Sequence, residues 1–151
     1  MDDAPIRVSV DRVIRASPEA IFAVLADHES WPDWFGDLVK AEVTGPATGV
    51  GATRSVEARG LGRLDEEFIS WEPGASFGFS VVAMSRPIFK TLNELVTIEP
   101  TAEGAIVTYA QAFEPKAWAR PLIKLAARGP FPKALRGALD GLAERAERQG
   151  S

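Results

Sequence analysis

The stretch that decides the fold is residues 53–114, TRSVEARGLGRLDEEFISWEPGASFGFSVVAMSRPIFKTLNELVTIEPTAEGAIVTYAQAFE. It alternates β-prone runs with turn residues. Residues 53–59 read as a strand with Gly60-Leu61-Gly62 as its turn. Residues 63–72 are the next, ended by the turn dipeptide Pro73-Gly74. Residues 76–83 and 88–99 follow, Glu103-Gly104 turns the chain again, and 105–114 is the last run. Strands punctuated this regularly predict a meandering antiparallel sheet.

Upstream, residues 6–14 open with Ile6, Val8 and Val10 alternating with Arg7, Ser9 and Asp11, the period of a half-buried strand. Ser17-Pro18-Glu19-Ala20 then starts a helix: Ser17 suits the N-cap, Pro18 the first helical position, and Glu19 the positive end of the helix dipole. Ile21, Phe22, Val24 and Leu25 form its apolar stripe, and it should end near Asp27. Trp31-Pro32-Asp33 signals a second short helix. Residues 38–43 are a strand, and Gly45, Pro46, Gly49 and Gly51 punctuate a loop.

Downstream, Leu122, Ile123, Leu125 and Ala126, then Leu135, Ala138, Leu139, Leu142 and Ala146, recur at helical spacing with charges between them. Gly129-Pro130-Phe131-Pro132 should break or kink this helix, because proline cannot continue the backbone ladder. The order is strand, two short helices, six strands and a long C-terminal helix. An antiparallel sheet needs one face covered, and only the last helix is long enough to cover it. The expectation is an α+β fold of about seven strands in one domain, residues 1–151.

Composition narrows the function. The chain has 151 residues, 46% hydrophobic and 25% charged, enough to bury roughly 70% of its unfolded surface in one core. The absence of cysteine removes disulfides, thiolate nucleophiles and zinc–cysteine sites. With one histidine, no metal site is expected. The net charge of −4 is spread along the chain, so no nucleic-acid footprint appears. No apolar run is long enough for a membrane span. The acidic start Met1-Asp2-Asp3-Ala4-Pro5 lacks the apolar core of a signal peptide, which points to the cytoplasm. No Gly-Xaa-Ser-Xaa-Gly elbow, phosphate-binding loop or His-Glu-Xaa-Xaa-His site occurs, and nothing asks for a cofactor.

Several pieces in this order resemble the helix-grip superfamily of START-related lipid-transfer domains, pollen-allergen-like proteins and bacterial polyketide cyclase/dehydrase-like proteins. They are Ala16-Ser17-Pro18-Glu19-Ala20-Ile21-Phe22, Trp31-Pro32-Asp33-Trp34, Gly49-Val50-Gly51, Trp71-Glu72-Pro73-Gly74 and Gly104-Ala105-Ile106-Val107-Thr108-Tyr109. The likeness covers nearly the whole chain and is greatest to the small bacterial cyclase-like branch. It implies a curved sheet gripping the last helix around a pocket for a small hydrophobic ligand. It does not imply one reaction, since members include carriers, cyclases, dehydratases and regulators.

Strand periodicity nominates the residues that would meet such a ligand. On the last strand Val107, Tyr109, Gln111 and Phe113 share the bulkier face, which should point inward. Phe77, Phe79 and Val81 should face in as well. Ile88, Leu92, Val96 and Ile98 take Glu94 inward with them. Ile69 and Trp71 take Glu67. A carboxylate in an apolar cavity has a raised pKa and can act as general acid or base, so Glu67, Glu94 and Tyr109 are the catalytic candidates. The aromatic cluster Trp31, Trp34 and Phe35 anchors the second helix, and the resemblance implies that at least one of them lines the pocket. Trp71, Leu122, Leu135 and Leu139 complete the candidate ligand contacts. His28 reads as a cap or a solvated side chain. The leading expectation is a carrier or sensor of a polyketide- or lipid-like molecule, acting as monomer or homodimer. The rivals are a cyclase or dehydratase, and a protein-interaction regulator of the same fold.

Overall fold

The computed structural model describes residues 5–149; residues 1–4, read above as part of an acidic start, lie outside the described residues. Strand β1 spans Ile6–Ile14. Helix α1, Pro18–Ala26, starts where the sequence places it: the Ala20 amide donates to Ser17 Oγ at 3.1 Å, and Pro18 occupies the first turn. This bond satisfies one of the amides that a helix start leaves without a partner. A single 3₁₀ turn, His28–Ser30, leads into the four-residue helix α2, Trp31–Trp34.

Six strands follow: β2 Leu38–Val43, β3 Thr53–Ala58, β4 Gly62–Glu72, β5 Ser76–Met84, β6 Phe89–Thr101 and β7 Gly104–Pro115. With β1 they form one seven-stranded antiparallel sheet in the order β1-β7-β6-β5-β4-β3-β2. The meander read from the turn residues supplies every neighbour but one, the pairing of β1 with β7. Register shifts between Leu38 and Lys40, Asp65 and Glu66, Phe68 and Ser70, and Phe89 and Thr91 bend the sheet, as bulges do by adding a residue to one strand.

The C-terminal segment is two helices, α3 Arg120–Ala126 and α4 Pro130–Gln149. The break lies at residues 127–129, just ahead of the prolines. Proline is tolerated in a first turn, where its missing N–H would have no partner, so Pro130 restarts the helix. The Lys133 amide bonds the Gly129 carbonyl at 3.1 Å. Helix α4 packs on β1, β7, α1 and α2. It buries Leu135, Ala138, Leu139, Leu142 and Ala146, the stripe that the spacing predicts, and Ala143 beside them. A Cβ on Gly141 would lie 2.3 Å from the Trp34 carbonyl oxygen. That glycine lets α2 and α4 touch backbone to backbone.

Candidate functional site

Helices α3 and α4 do not fill the concave side of the sheet. Between them lies a cavity of about 330 Å³. Its walls are mostly apolar, with Trp31, Phe35, Leu64, Phe79, Leu92 and Leu135 among them. Its mouth is framed by Arg59 and Gly60 at the β3–β4 turn and by Trp118 and Leu122 on the other side.

Five polar side chains interrupt the apolar wall: Arg54, Glu66, Glu94, Tyr109 and Gln111. The sheet sets them side by side. Arg54 stands opposite Glu66 in the β3–β4 register, and Glu94 opposite Gln111 in the β6–β7 register. Arg54 is 1% exposed, and its Nε donates to Glu66 Oε1 at 2.7 Å. Its guanidinium carbon lies 4.0 Å from the centre of the Trp31 ring and 4.8 Å from that of Phe79. The ring faces and the carboxylate together replace the water that the cation has lost. Burial pushes the Glu66 carboxyl above the usual carboxylate value, and the Arg54 charge pulls against it.

His28 is 3% exposed and joins the outer end of this cluster, which corrects its reading as a cap or solvated side chain. Its Nε2 lies 2.7 Å from the Ala47 carbonyl oxygen, a pure acceptor, so Nε2 carries the proton. That leaves Nδ1 as the acceptor facing Arg54 Nη1 at 3.5 Å. Burial, with the charge of Arg54 acting in the same sense, lowers the His28 pKa and favours the neutral ring. The sequence context alone, a polar stretch after a helix, carries no sign of the loop that folds over it.

Glu94 and Tyr109 form the second polar group. The Tyr109 hydroxyl donates to Glu94 Oε1. Removal from bulk water, reinforced by the charge of Glu66, raises the Glu94 pKa to about 7, against the hydrogen bond from Tyr109 and the charge of Arg54. Burial and the adjacent Glu94 push the Tyr109 hydroxyl well above its ordinary value. Gln111 Oε1 is buried and has no hydrogen-bond partner among the described residues. A buried acceptor left unpaired is costly, and Gln111 lines the cavity. Among the described residues no group of three or more His, Asp or Glu side chains is arranged to hold a metal ion.

The structure divides the sequence candidates. Trp31, Phe35, Phe79, Glu94, Tyr109, Gln111 and Leu135 line the cavity, and Leu122 lies at its mouth, 65% exposed. Glu67 does not reach the cavity. It is exposed on the outer face with Ile69, and Glu66 takes the inward place. The register shift between Phe68 and Ser70 explains the misreading. Trp71 packs on Phe68 at 5.4 Å, an inward contact that the extra residue makes possible, so its parity does not extend back to Glu67. Four further candidates support the site without lining it. Trp71 and Phe77 lie under α1, their rings 5.4 and 5.9 Å from Phe22. Trp34 is buried against Gly141 of α4. Leu139 is buried one helical turn beyond Leu135.

Arg54 and Glu66 are the residues that sequence reasoning missed. The signal was present: Arg54 shares strand parity with Val56, and Glu66 with Leu64 and Phe68, which are apolar where the flanking Ser55, Glu57, Arg63, Asp65 and Glu67 are polar or charged.

A sheet curled around a C-terminal helix with an apolar cavity and a polar wall defines a helix-grip fold. Residues 5–147 match the family described as polyketide cyclase/dehydrase and lipid transport, and the chain belongs to it. An uncharacterised protein of Mycobacterium tuberculosis is 36% identical over 118 residues, which is 78% of this chain and 70% of that protein. Among solved structures, the di-domain aromatase/cyclase StfQ of the steffimycin biosynthetic pathway aligns with a TM-score of 0.82 at 12% identity. The alignment covers 97% of this chain and 52% of StfQ, so the chain spans about half of that protein. A START superfamily protein of Mycobacterium smegmatis aligns with a TM-score of 0.73 at 17% identity, over 94% of this chain and 98% of that one. At these identities the structural likeness is one of fold.

Proposed function

We propose that this protein is a single-domain binder of a small, mostly apolar molecule, polyketide- or lipid-like, which it carries or senses. The observation that carries the reading is the cavity of about 330 Å³ whose apolar wall ends in Arg54, Glu66, Glu94, Tyr109 and an unpartnered Gln111 carbonyl. Small-molecule sites have this character: apolar walls give affinity, and a few fixed polar groups give orientation. The ligand's apolar body would lie against Trp31, Phe79 and Leu135, with a hydroxyl or phenol donating to Gln111.

Native mass spectrometry of the freshly purified protein, followed by extraction of what co-purifies, tests this. An apolar compound bound one to one, and lost from an Ala134→Phe variant that folds normally, is the expected result. Ala134 lines the cavity, so the added ring takes up ligand space. A compound retained equally by the variant would place binding elsewhere.

A second reading, a cyclase or dehydratase, is favoured by one specific observation. Glu94 has a pKa of about 7 and bonds the Tyr109 hydroxyl inside the cavity. A carboxyl poised near neutrality can take a proton from carbon beside a carbonyl and return it to oxygen. In that case Glu94 is the base and Tyr109 the donor, and Glu67, being outside, has no part. Turnover of a poly-β-ketone analogue that is lost in Glu94→Gln while binding persists would support the enzyme over the carrier.

A further inference from the structure

Trp118 and Leu122 at the mouth of the cavity, and Leu125 further along α3, are 70%, 65% and 67% exposed. They are spaced by four and then three residues, so they form one outward stripe along the 3₁₀ turn Ala117–Ala119 and α3. Ala119 and Ile123 are buried beneath them. Single exposed apolar residues are ordinary; three large ones in one stripe at a cavity mouth are not.

The charge around the stripe is reversed from that of the molecule. The chain carries a net −4, yet residues 115–139 contain Lys116, Arg120, Lys124, Arg128, Lys133 and Arg136 and no acidic residue. Arg120 and Lys124 also engage other groups of the chain. Arg128, Lys133 and Arg136 are exposed. Across the mouth, Arg59 is exposed at the β3–β4 turn beside the half-buried Leu61, with Asp37 the carboxylate near them in the cavity wall. The acidic residues of the tail, Asp140, Glu144 and Glu147, all belong to the second half of α4. The basic stretch therefore runs through the helix break at residues 127–129 into the first turns of α4, and acidic residues return only from Asp140 onward.

We propose that this lip docks the protein on an anionic lipid surface, with Trp118, Leu122 and Leu125 at headgroup depth and the surrounding cations against the phosphates. A tryptophan with two leucines, framed by Lys and Arg, is the composition of an interfacial element. Basic residues add attraction only where the lipid is anionic. A protein partner fits less well, because a three-residue stripe is small beside the ~800 Å² per partner that stable protein contacts bury. Docked this way, the cavity mouth faces the bilayer, and an apolar ligand passes between them without crossing water. The inference goes beyond ligand binding and is independent of which compound the cavity takes.

Co-sedimentation of the full chain with phosphatidylcholine vesicles, with and without phosphatidylglycerol, tests it. The expected result is binding to the anionic vesicles alone, released by salt of about 0.5 M. Leu125→Glu should weaken that binding about tenfold or more. Leu125 is outside the cavity lining, so ligand uptake without vesicles should be unchanged and reads the two properties separately. Val50→Glu, at a site 72% exposed in the β2–β3 loop, should bind as the parent does. Tryptophan emission should shift to the blue on anionic vesicles and not in Trp118→Phe, because Trp31 and Trp34 are already buried and Trp71 packs on Phe22, Phe68 and Phe77, outside the cavity lining. Protein left in the supernatant at low salt, or full binding by Leu125→Glu, overturns the proposal. The first of these outcomes would leave the lip to an acidic protein partner.

Discussion

Glu94 depends on its neighbours for any charge it carries, because the cavity holds it away from bulk water. Its pKa of about 7 against an ordinary 4.5 means that the folded state favours the protonated form. The stabilisation is complete below about pH 4.5, where both states are protonated, and is lost as pH rises through about 7. The loss is of order 3 kcal/mol at most. Denaturant midpoints measured from acid to neutral pH should fall for the parent and stay flatter for Glu94→Gln. Arg54 and Glu66 form a different kind of pair, 1% and 3% exposed. Arg54→Met strands a buried carboxyl and should cost about 3–5 kcal/mol in chemical unfolding. Arg54→Met with Glu66→Leu should recover most of that, since an apolar pair needs no compensation. If the double variant is as unstable as the single one, the pair is not the source of the loss.

At the scale of elements, two contacts decide where the site sits. The Ser17 cap and Pro18 start α1 so that Phe22 covers Trp71 and Phe77. Gly141 lets α4 lie directly on α2, which holds Trp31 and Phe35 against the cavity. A glycine inside a helix is otherwise unfavourable by roughly 1 kcal/mol relative to alanine. Gly141→Ala should nonetheless destabilise the fold by about 1–3 kcal/mol, because the new methyl meets the Trp34 backbone. A rise in melting temperature for that variant would show that the helices can move apart freely. The proline-marked break matters equally. It ends α3 before α4 begins, and Leu122 and Leu125 of α3 are exposed while Leu135, Leu139 and Leu142 of α4 are core.

At the scale of the molecule, local pattern determined the elements and long-range register determined the chemistry. The turn dipeptides, the Ser17-Pro18 start and the helical spacing of Leu135, Leu139 and Leu142 identify a meandering antiparallel sheet and a covering helix, because each signal concerns residues close in sequence. Periodicity also turned Tyr109, Gln111 and Glu94 inward, since β6 and β7 pair without a break from Thr91 to Thr101. It failed on β4. One extra residue near Phe68 reverses the side on which a side chain emerges, and a bulge is set by how paired strands bend together, which no single strand encodes. The Arg54–Glu66 pair required that register as well as the ring stack of Trp31, contributed from a separate helix. The sequence by itself determined the helix-grip architecture and an apolar interior. Only the tertiary structure decided which carboxylates enter that interior, because burial of a charge is a property of its surroundings and those are assembled from strands and helices far apart in the chain.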